Sequence, residues 1–277
     1  MGLPIVSVLM TTYNREKYIA PAIESVLAST FTDFELIITD DCSKDRTVQI
    51  ARSYAAKDNR VKVYINEKNL GDYPNRNEAA SKATGKYLKY VDADDYIYPW
   101  GLELLVNMME QFPEAGWGLC SLEQYVKSPF PFVLSPAEAY VYHYQGPGLF
   151  HKAPLSSIIK REIFNKVGGF SPIRMAGDFE MWHRLAQKFP LVMMPHGIVW
   201  YREHGEQEMK SYFSHLSAYE NVKVKYLKDE KCPLDAQTRN SILNGYKKAF
   251  QKQIIKDILR LRISSVKRNI NNLKAYR

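Results

Sequence analysis

Apolar positions in the first hundred residues follow two alternating spacings. Residues 5–10 (Ile5, Val6, Ser7, Val8, Leu9, Met10) are apolar almost without interruption, as a strand buried on both faces requires. Ile19, Ala22, Ile23, Val26 and Leu27 then recur at intervals that place them on one face of a helix. The pair repeats, with a strand over 35–38 and a helix carrying Val48, Ala51, Tyr54 and Ala55. A third strand over 61–65, a short helix over 75–82 and a fourth strand over 87–91 extend the series. Gly85, just beyond that helix, suits a stop that needs positive φ. This alternation predicts an α/β fold, with a mostly parallel sheet flanked by helices on both faces.

The pattern loosens afterwards. Pro99 opens a helix that turns Leu104, Leu105, Met108 and Met109 inward and ends near Pro113. Residues 127–154, rich in Pro, Gly and aromatic side chains, read as an irregular excursion. A strand over 155–159 and a short helix over 162–167, closed by Gly168 and Gly169, restore order. A helix over 178–189 carries Trp182, Leu185, Ala186 and Phe189 inward, and 198–201 predicts another strand. From about Ser211 the spacing is helical.

Composition changes this picture little. The 277 residues suffice for one large domain or two joined halves. No apolar run is long enough to cross a bilayer, and the stretch 5–10 is too short for a secretory leader, so a cytoplasmic location is expected. Cys42, Cys120 and Cys232 are too scattered for a disulfide framework or a zinc cluster. The formal charge of +8 invites a nucleic-acid reading, but its distribution opposes one. Residues 246–277 hold ten Lys or Arg and a single acid, Asp257, giving +9 and leaving −1 for the rest. No nucleic-acid partner is expected.

Candidate chemistry gathers after the strands. In open α/β sheets, ligands sit where loops converge beyond the carboxyl ends of the strands. Thr11, Tyr13 and Asn14 follow the first predicted strand, Asp40 and Asp41 the second, Asn69 to Asp72 the third, and Asp92, Asp94 and Asp95 the fourth. So many carboxylates on one rim repel unless a cation or hydrogen-bond donors lie between them. The step Asp92-Ala93-Asp94 has two readings: a solvated turn with a capping aspartate, or a pair directed at one hard divalent cation that also takes phosphate oxygens. Its place after a buried strand, beside three other polar loops, favours the second. There is no Gly-x-Gly-x-x-Gly, Walker-type loop or Gly-x-Ser-x-Gly.

As a set, these segments resemble the family 2 glycosyltransferases. The resemblance lies in residues 6–14, 31–45, Asn69-Leu70-Gly71, Arg76-Asn77, 83–87 and Asp92-Ala93-Asp94-Asp95, and returns between about Ser156 and His204. It implies a GT-A fold with a Rossmann-like sheet, an inverting transfer, and a nucleotide-sugar donor, UDP-linked before other nucleotides. Residues 1–98 would bind the donor, 99–210 the acceptor, and 211–277 form a helical extension. Tyr13 would pack against the base in a loop shaped by Thr11 and Asn14. Asp41 would accept from the base N3–H, Arg76 would face the ribose or diphosphate, and Asp92 the ribose region. Manganese or magnesium would sit on Asp94, with Asp95 and His204 as further ligands. The acceptor would be a glycan or a lipid-linked sugar in polysaccharide synthesis.

An inverting transfer also needs a base near the acceptor hydroxyl. Asp178 is the candidate, and Glu180 the runner-up, about 200° away around the helix. Family members usually carry two adjacent acids here, whereas this chain has Gly177 before Asp178. A catalytically degenerate relative is therefore the alternative reading. In the basic tail Ile255, Leu259, Ile263, Val266, Ile270 and Leu273 form one stripe along a helix from about Phe250 to Leu273. That stripe would pack on the parent domain, pair helices in a homo-oligomer, or lie on the anionic inner face of the cell membrane.

Overall fold

The computed structural model describes residues 2–123, 128–205 and 215–276. Strands β1 (Val6–Thr12), β2 (Phe34–Asp40), β3 (Val61–Ile65) and β4 (Tyr87–Tyr90) run parallel. They are linked by α1 (Ile19–Leu27), α2 (Thr47–Ala55) and α3 (Asp72–Ser81). Side chains of a strand alternate between its two faces, so β1 and β2 feed two cores. Val8, Met10, Leu36 and Ile38 pack with α1 and α2, while Leu9 and Ile37 pack with Ala79 and Ala80 of α3.

The chain continues through β5 (Tyr96–Ile97), α4 (Gly101–Glu110), β6 (Trp117–Leu122), β7 (Phe132–Leu134) and α5 (Pro136–Gln145). Then come β8 (Ser157–Lys160), α6 (Arg161–Val167), α7 (Gly177–Ala186), β9 (Leu191–Pro195) and β10 (Val199–Trp200). Among the described residues the main sheet has eight strands in the order β3-β2-β1-β4-β8-β6-β9-β7. β8 runs antiparallel between β4 and β6 and so joins both halves of the chain into one sheet. β10 pairs with β5 in a separate antiparallel ribbon. That ribbon brings residues beyond β10 back to the loop after β4.

Several expectations need correction. Residues 128–154 are not an irregular excursion, because Ser135 opens α5 with a capping box to Glu138 and Pro136 in its first turn. Residue 127 lies outside the described residues. Leu104 faces water, while Leu102 and Val106 fill the inward positions of α4 beside Leu105, Met108 and Met109. Gly85 does not adopt positive φ. It is needed because a Cβ there would lie 2.6 Å from the Ser7 amide nitrogen, where the chain passes against β1.

The tail is not one helix. After α8 (Leu216–Lys228), α9 (Ala236–Leu259) and α10 (Ile263–Lys274) form a hairpin that turns at Arg260–Arg262, with Leu261 at φ 54°. The expected helical start near Ser211 lies outside the described residues. No helix among the described residues is long and apolar enough to cross a membrane.

Candidate active site

The loops after β1, β2, β3 and β4 meet on one rim and are stitched together by their own side chains. Asn14, at φ 52°, accepts the Lys44 amide (2.8 Å) on Oδ1 and donates its own amide to Ser43 Oγ (2.8 Å). Asp40 makes the local Asx turn, accepting from the Ser43 amide at 2.8 Å. Asp41 is buried and accepts from Asn66 Nδ2 (2.8 Å) and the amides of Leu70 (2.8 Å) and Gly71 (2.9 Å). Its carboxylate clips the β3–α3 loop to β2, with two donors on Oδ1 and one on Oδ2. Tyr13 stands out from this rim, 45% exposed.

The acidic loop after β4 is held by cations. Arg76 is buried rather than displayed on its helix, and it forks onto Asp92 at 2.6 and 3.0 Å while its Nε donates to Asp72 at 2.8 Å. Despite the penalty of burial, Asp72 and Asp92 hold its guanidinium well above the usual arginine range. Thr11 Oγ1 reaches Asp92 at 3.5 Å. Asp94 Oδ2 receives Arg15 Nε at 3.0 Å and lies 3.0 Å from His204 Nε2. The His204 ring stacks on Tyr18, with centroids 4.5 Å apart. Asp95 does not join Asp94 and His204. It is buried and accepts the Arg202 amide at 2.9 Å. Burial, reinforced by Asp92 and Asp94, raises its carboxyl to about 8.

Two of the three anticipated metal ligands therefore meet. Among the described residues no three His, Cys, Asp or Glu side chains are gathered closely enough to hold a metal by themselves. The pair that does meet offers a carboxylate oxygen and an imidazole nitrogen, a donor set that suits a divalent cation. Positive groups already crowd these carboxylates, which shows that the loop calls for cationic charge.

Beside this loop lies a cavity of about 590 Å³, lined by Asp178, His151, Lys152, Trp200, Tyr201 and Tyr219 among others. Asp178, at the start of α7, accepts from Tyr73 Oη (3.0 Å) and from the Phe179 amide (2.7 Å). Burial lifts its carboxyl to about 6 against the pull of those two donors. Tyr73 and Arg76 stand three apart in the first turns of α3, so one helix face holds both Asp178 and Asp92. The runner-up, Glu180, is buried away from the cavity among Tyr226 Oη and Arg184 Nη2, the latter at 2.8 Å.

Gly177 now has a physical reason. A Cβ there would lie 2.6 Å from the Ser171 carbonyl oxygen and 2.7 Å from two atoms of the Tyr73 ring. The Tyr73 ring occupies the space a side chain at 177 would need. Tyr73 and Arg15 escaped the sequence reading. Arg15 directly follows the Tyr13-Asn14 loop, which was its available signal, whereas Tyr73 meets Asp178 across 105 positions. Lys89 was missed too. It is buried, and its Nζ donates to the carbonyls of Leu155 and Ser157, fixing the turn that lines the cavity.

The family model described as Glycosyl transferase family 2 matches residues 7–168. The chain belongs to the family 2 glycosyltransferases. It is 31% identical over 192 residues to an uncharacterized glycosyltransferase of Haemophilus influenzae, covering 66% of this chain and 63% of that one. It is 37% identical over 107 residues to the putative teichuronic acid biosynthesis glycosyltransferase TuaG of Bacillus subtilis, covering 39% of this chain and 41% of that one. The chain spans about half the length of the curated relatives it matches, 51% and 39% in two further cases. Among solved structures it is similar to residues 1–349 of S. aureus TarS in complex with UDP-GlcNAc. There the TM-score is 0.66 at 18% identity, over 98% of this chain and 91% of that one. It is also similar to the mannosyltransferase PcManGT of Pyrobaculum calidifontis in complex with GDP-Man and Mn2+. That match has a TM-score of 0.65 at 15% identity, over 99% and 86% of the two chains. At these identities the likeness shows a shared fold, the GT-A fold.

Proposed function

We propose that this chain transfers a sugar, with inversion, from a nucleotide-sugar to a hydroxyl of a glycan or lipid-linked acceptor in polysaccharide synthesis. The observation that carries the reading is the double clamp of α3. Tyr73 aims a carboxylate into the cavity, and Arg76, one turn later, fixes the acidic loop beside it. Asp178 lines the cavity, and Tyr201 in the same wall adjoins the Arg202 amide that binds Asp95 of the acidic loop. That arrangement supports a base beside a phosphate-directed loop. The donors named for the two structural neighbours, UDP-GlcNAc and GDP-Man, support the donor class, and a UDP-sugar is the first choice.

In this reading residues 1–98 hold the donor and 99–210 the acceptor, with Thr11, Tyr13, Asn14, Asp41, Arg76 and Asp92 shaping the nucleotide pocket. Asp41 fixes the loop through its three internal donors and would accept from the base N3–H on Oδ2, which carries one of them. Asp178 removes the acceptor proton as the acceptor oxygen bonds to the anomeric carbon and the bond from that carbon to the diphosphate breaks. Asp94 and His204 would hold a divalent cation, manganese or magnesium, which when bound supplies positive charge for the departing diphosphate. Asp95 is better cast as a structural group, buried and tied to the Arg202 amide. The degenerate alternative rested on Gly177, and the Tyr73 ring accounts for that glycine without loss of the base.

The test is to titrate UDP- and GDP-sugars against the purified chain with manganese and follow binding and hydrolysis. A metal-dependent complex with at least one of them, hydrolysed slowly without acceptor, is expected. Binding of none would overturn the reading, and binding without turnover under any acceptor would revive the degenerate one.

A further inference from the structure

The C-terminal hairpin is built opposite to an ordinary helical pair. Its seam is polar: Asp257 is buried and accepts from Gln253 Nε2 (3.0 Å) and Asn269 Nδ2 (2.9 Å), and Asn272 is buried beside them. The aliphatic side chains around its turn point outward, while Ile254, Val266 and Leu273 are half-buried. Leu259, Leu261 and Ile263 at the turn are 78%, 87% and 69% exposed, and Ile255 and Ile258 are also exposed. Its base is anchored on the body, where Tyr276 Oη bonds Glu220 of α8 and the Tyr246 ring meets Tyr144 of α5 edge-on, with centroids 6.4 Å apart. Packing on the parent domain thus uses the aromatic base of the hairpin and leaves the aliphatic tip in water. Such a patch marks a docking surface.

Charge identifies the occupant. Lys252, Lys256, Arg260, Arg262, Lys267 and Arg268 are all exposed around the tip. The sole carboxylate side chain in residues 246–277 is Asp257, which is buried in the seam. Pairing two copies through a self-complementary contact would set these cations against one another with no acid to neutralise them. An anionic bilayer meets both demands, accepting aliphatic side chains below its headgroups and neutralising the basic rim. We infer that the tip of the hairpin, Leu259 to Ile263 with its basic flanks, is a docking site for an anionic membrane surface. This goes beyond the proposed transfer reaction and does not depend on it.

Flotation of the full-length chain with vesicles tests it. Vesicles of phosphatidylcholine alone are compared with equal mixtures of phosphatidylcholine and phosphatidylglycerol, at low and high salt. The full chain is expected to float with the anionic vesicles, not with the neutral ones, and to be largely released by salt. The triple variant Leu259→Gln, Leu261→Gln, Ile263→Gln changes only exposed side chains. It should keep its circular dichroism and melting temperature and bind at least about tenfold more weakly. Arg260→Glu with Arg262→Glu should weaken binding about twentyfold or more, from the attraction lost per basic residue near the surface. Three results would overturn the inference: no flotation of the full chain at low salt, undiminished flotation of the triple variant, or a concentration-dependent dimer by light scattering that the triple variant abolishes. The last would assign the tip to a second copy, whatever the outcome of the donor-binding test.

Discussion

Tyr73→Phe removes one oxygen and leaves the ring, which packs on Phe170 with centroids 5.6 Å apart. The lost group is the donor that meets Asp178 Oδ1 at 3.0 Å, while the Phe179 amide at 2.7 Å stays in place. A hydrogen bond to an ionised group is worth about 1.5–3 kcal/mol, and one pKa unit corresponds to about 1.4 kcal/mol, so a shift of about one unit is a conservative expectation. Its sign follows from what the donor stabilises. Tyr73 favours the carboxylate, so removing it favours the acid and raises the Asp178 value from about 6 toward about 7. The base acts in its ionised form. At pH 6 the ionised fraction should therefore fall from about one half to about one tenth, and at pH 8 it should hardly change. The assay is kcat/KM for transfer, or for donor hydrolysis, from pH 5 to 9. The acid limb should move upward by about one unit, with about a fivefold loss at pH 6 and near-convergence at pH 8. A uniform loss at every pH would mean that Tyr73 merely supports the fold, and an unmoved limb would mean that Asp178 is not the titrating base.

Asp178→Asn should lower turnover by about 10²–10⁴-fold while calorimetry finds donor affinity close to that of the unaltered chain, since the amide keeps the shape but cannot take the proton. Asp94→Ala, or chelation of the unaltered chain, should sharply weaken binding of a nucleotide-sugar and remove the manganese signal from paramagnetic resonance titrations. Arg15→Ala should instead tighten manganese binding in the donor-free protein by up to about fivefold, because the competing guanidinium on Asp94 is gone. Gly177→Ala should destabilise the fold by about 1–3 kcal/mol in urea melts, as its Cβ must displace the Ser171 carbonyl or the Tyr73 ring.

The first half of the fold was legible because its signals are local. Each strand of β1 to β4 is a short run rich in apolar residues and bounded by polar loops. Helices α1 and α2 carry their apolar faces at regular spacing, whereas α3 buries Asn75 and Arg76 beside Ala79 and Ala80. The second half hid for equally physical reasons. β6 contains Gly118 and Ser121 within its apolar run, and β9 follows so closely on α7 that the helical reading ran on to 189. The start of α5 did carry a legible signal, the Ser135–Glu138 box, but surrounding aromatic residues masked it. The rim was readable because each acid sits at a strand end, a position that sequence spacing fixes. Which acid does what was less so. Asp95 differs from Asp94 by one residue, yet burial turns it toward the Arg202 amide while Asp94 stays with Arg15 and His204.

The departures share a cause, which the tail and Gly177 show from opposite sides. A periodic stripe tells which side chains share a face of an unbroken helix, but nothing in that spacing tells where the chain turns. Ile255, Leu259 and Ile263 keep helical spacing across the turn at Arg260–Arg262, so the stripe survived in sequence while the helix did not. Leu259 and Ile263, beside the turn, are then left exposed, while Asp257 and Asn269 hold the seam. At Gly177 the sequence shows only an acid missing from a familiar pair. The compensation comes from Tyr73, on another helix, whose ring fills the vacant side-chain position and whose hydroxyl holds the remaining acid. A departure from a family pattern is thus weak evidence for lost chemistry until the space it opens has been accounted for. Here that space is filled, by a group that tunes the neighbouring carboxylate.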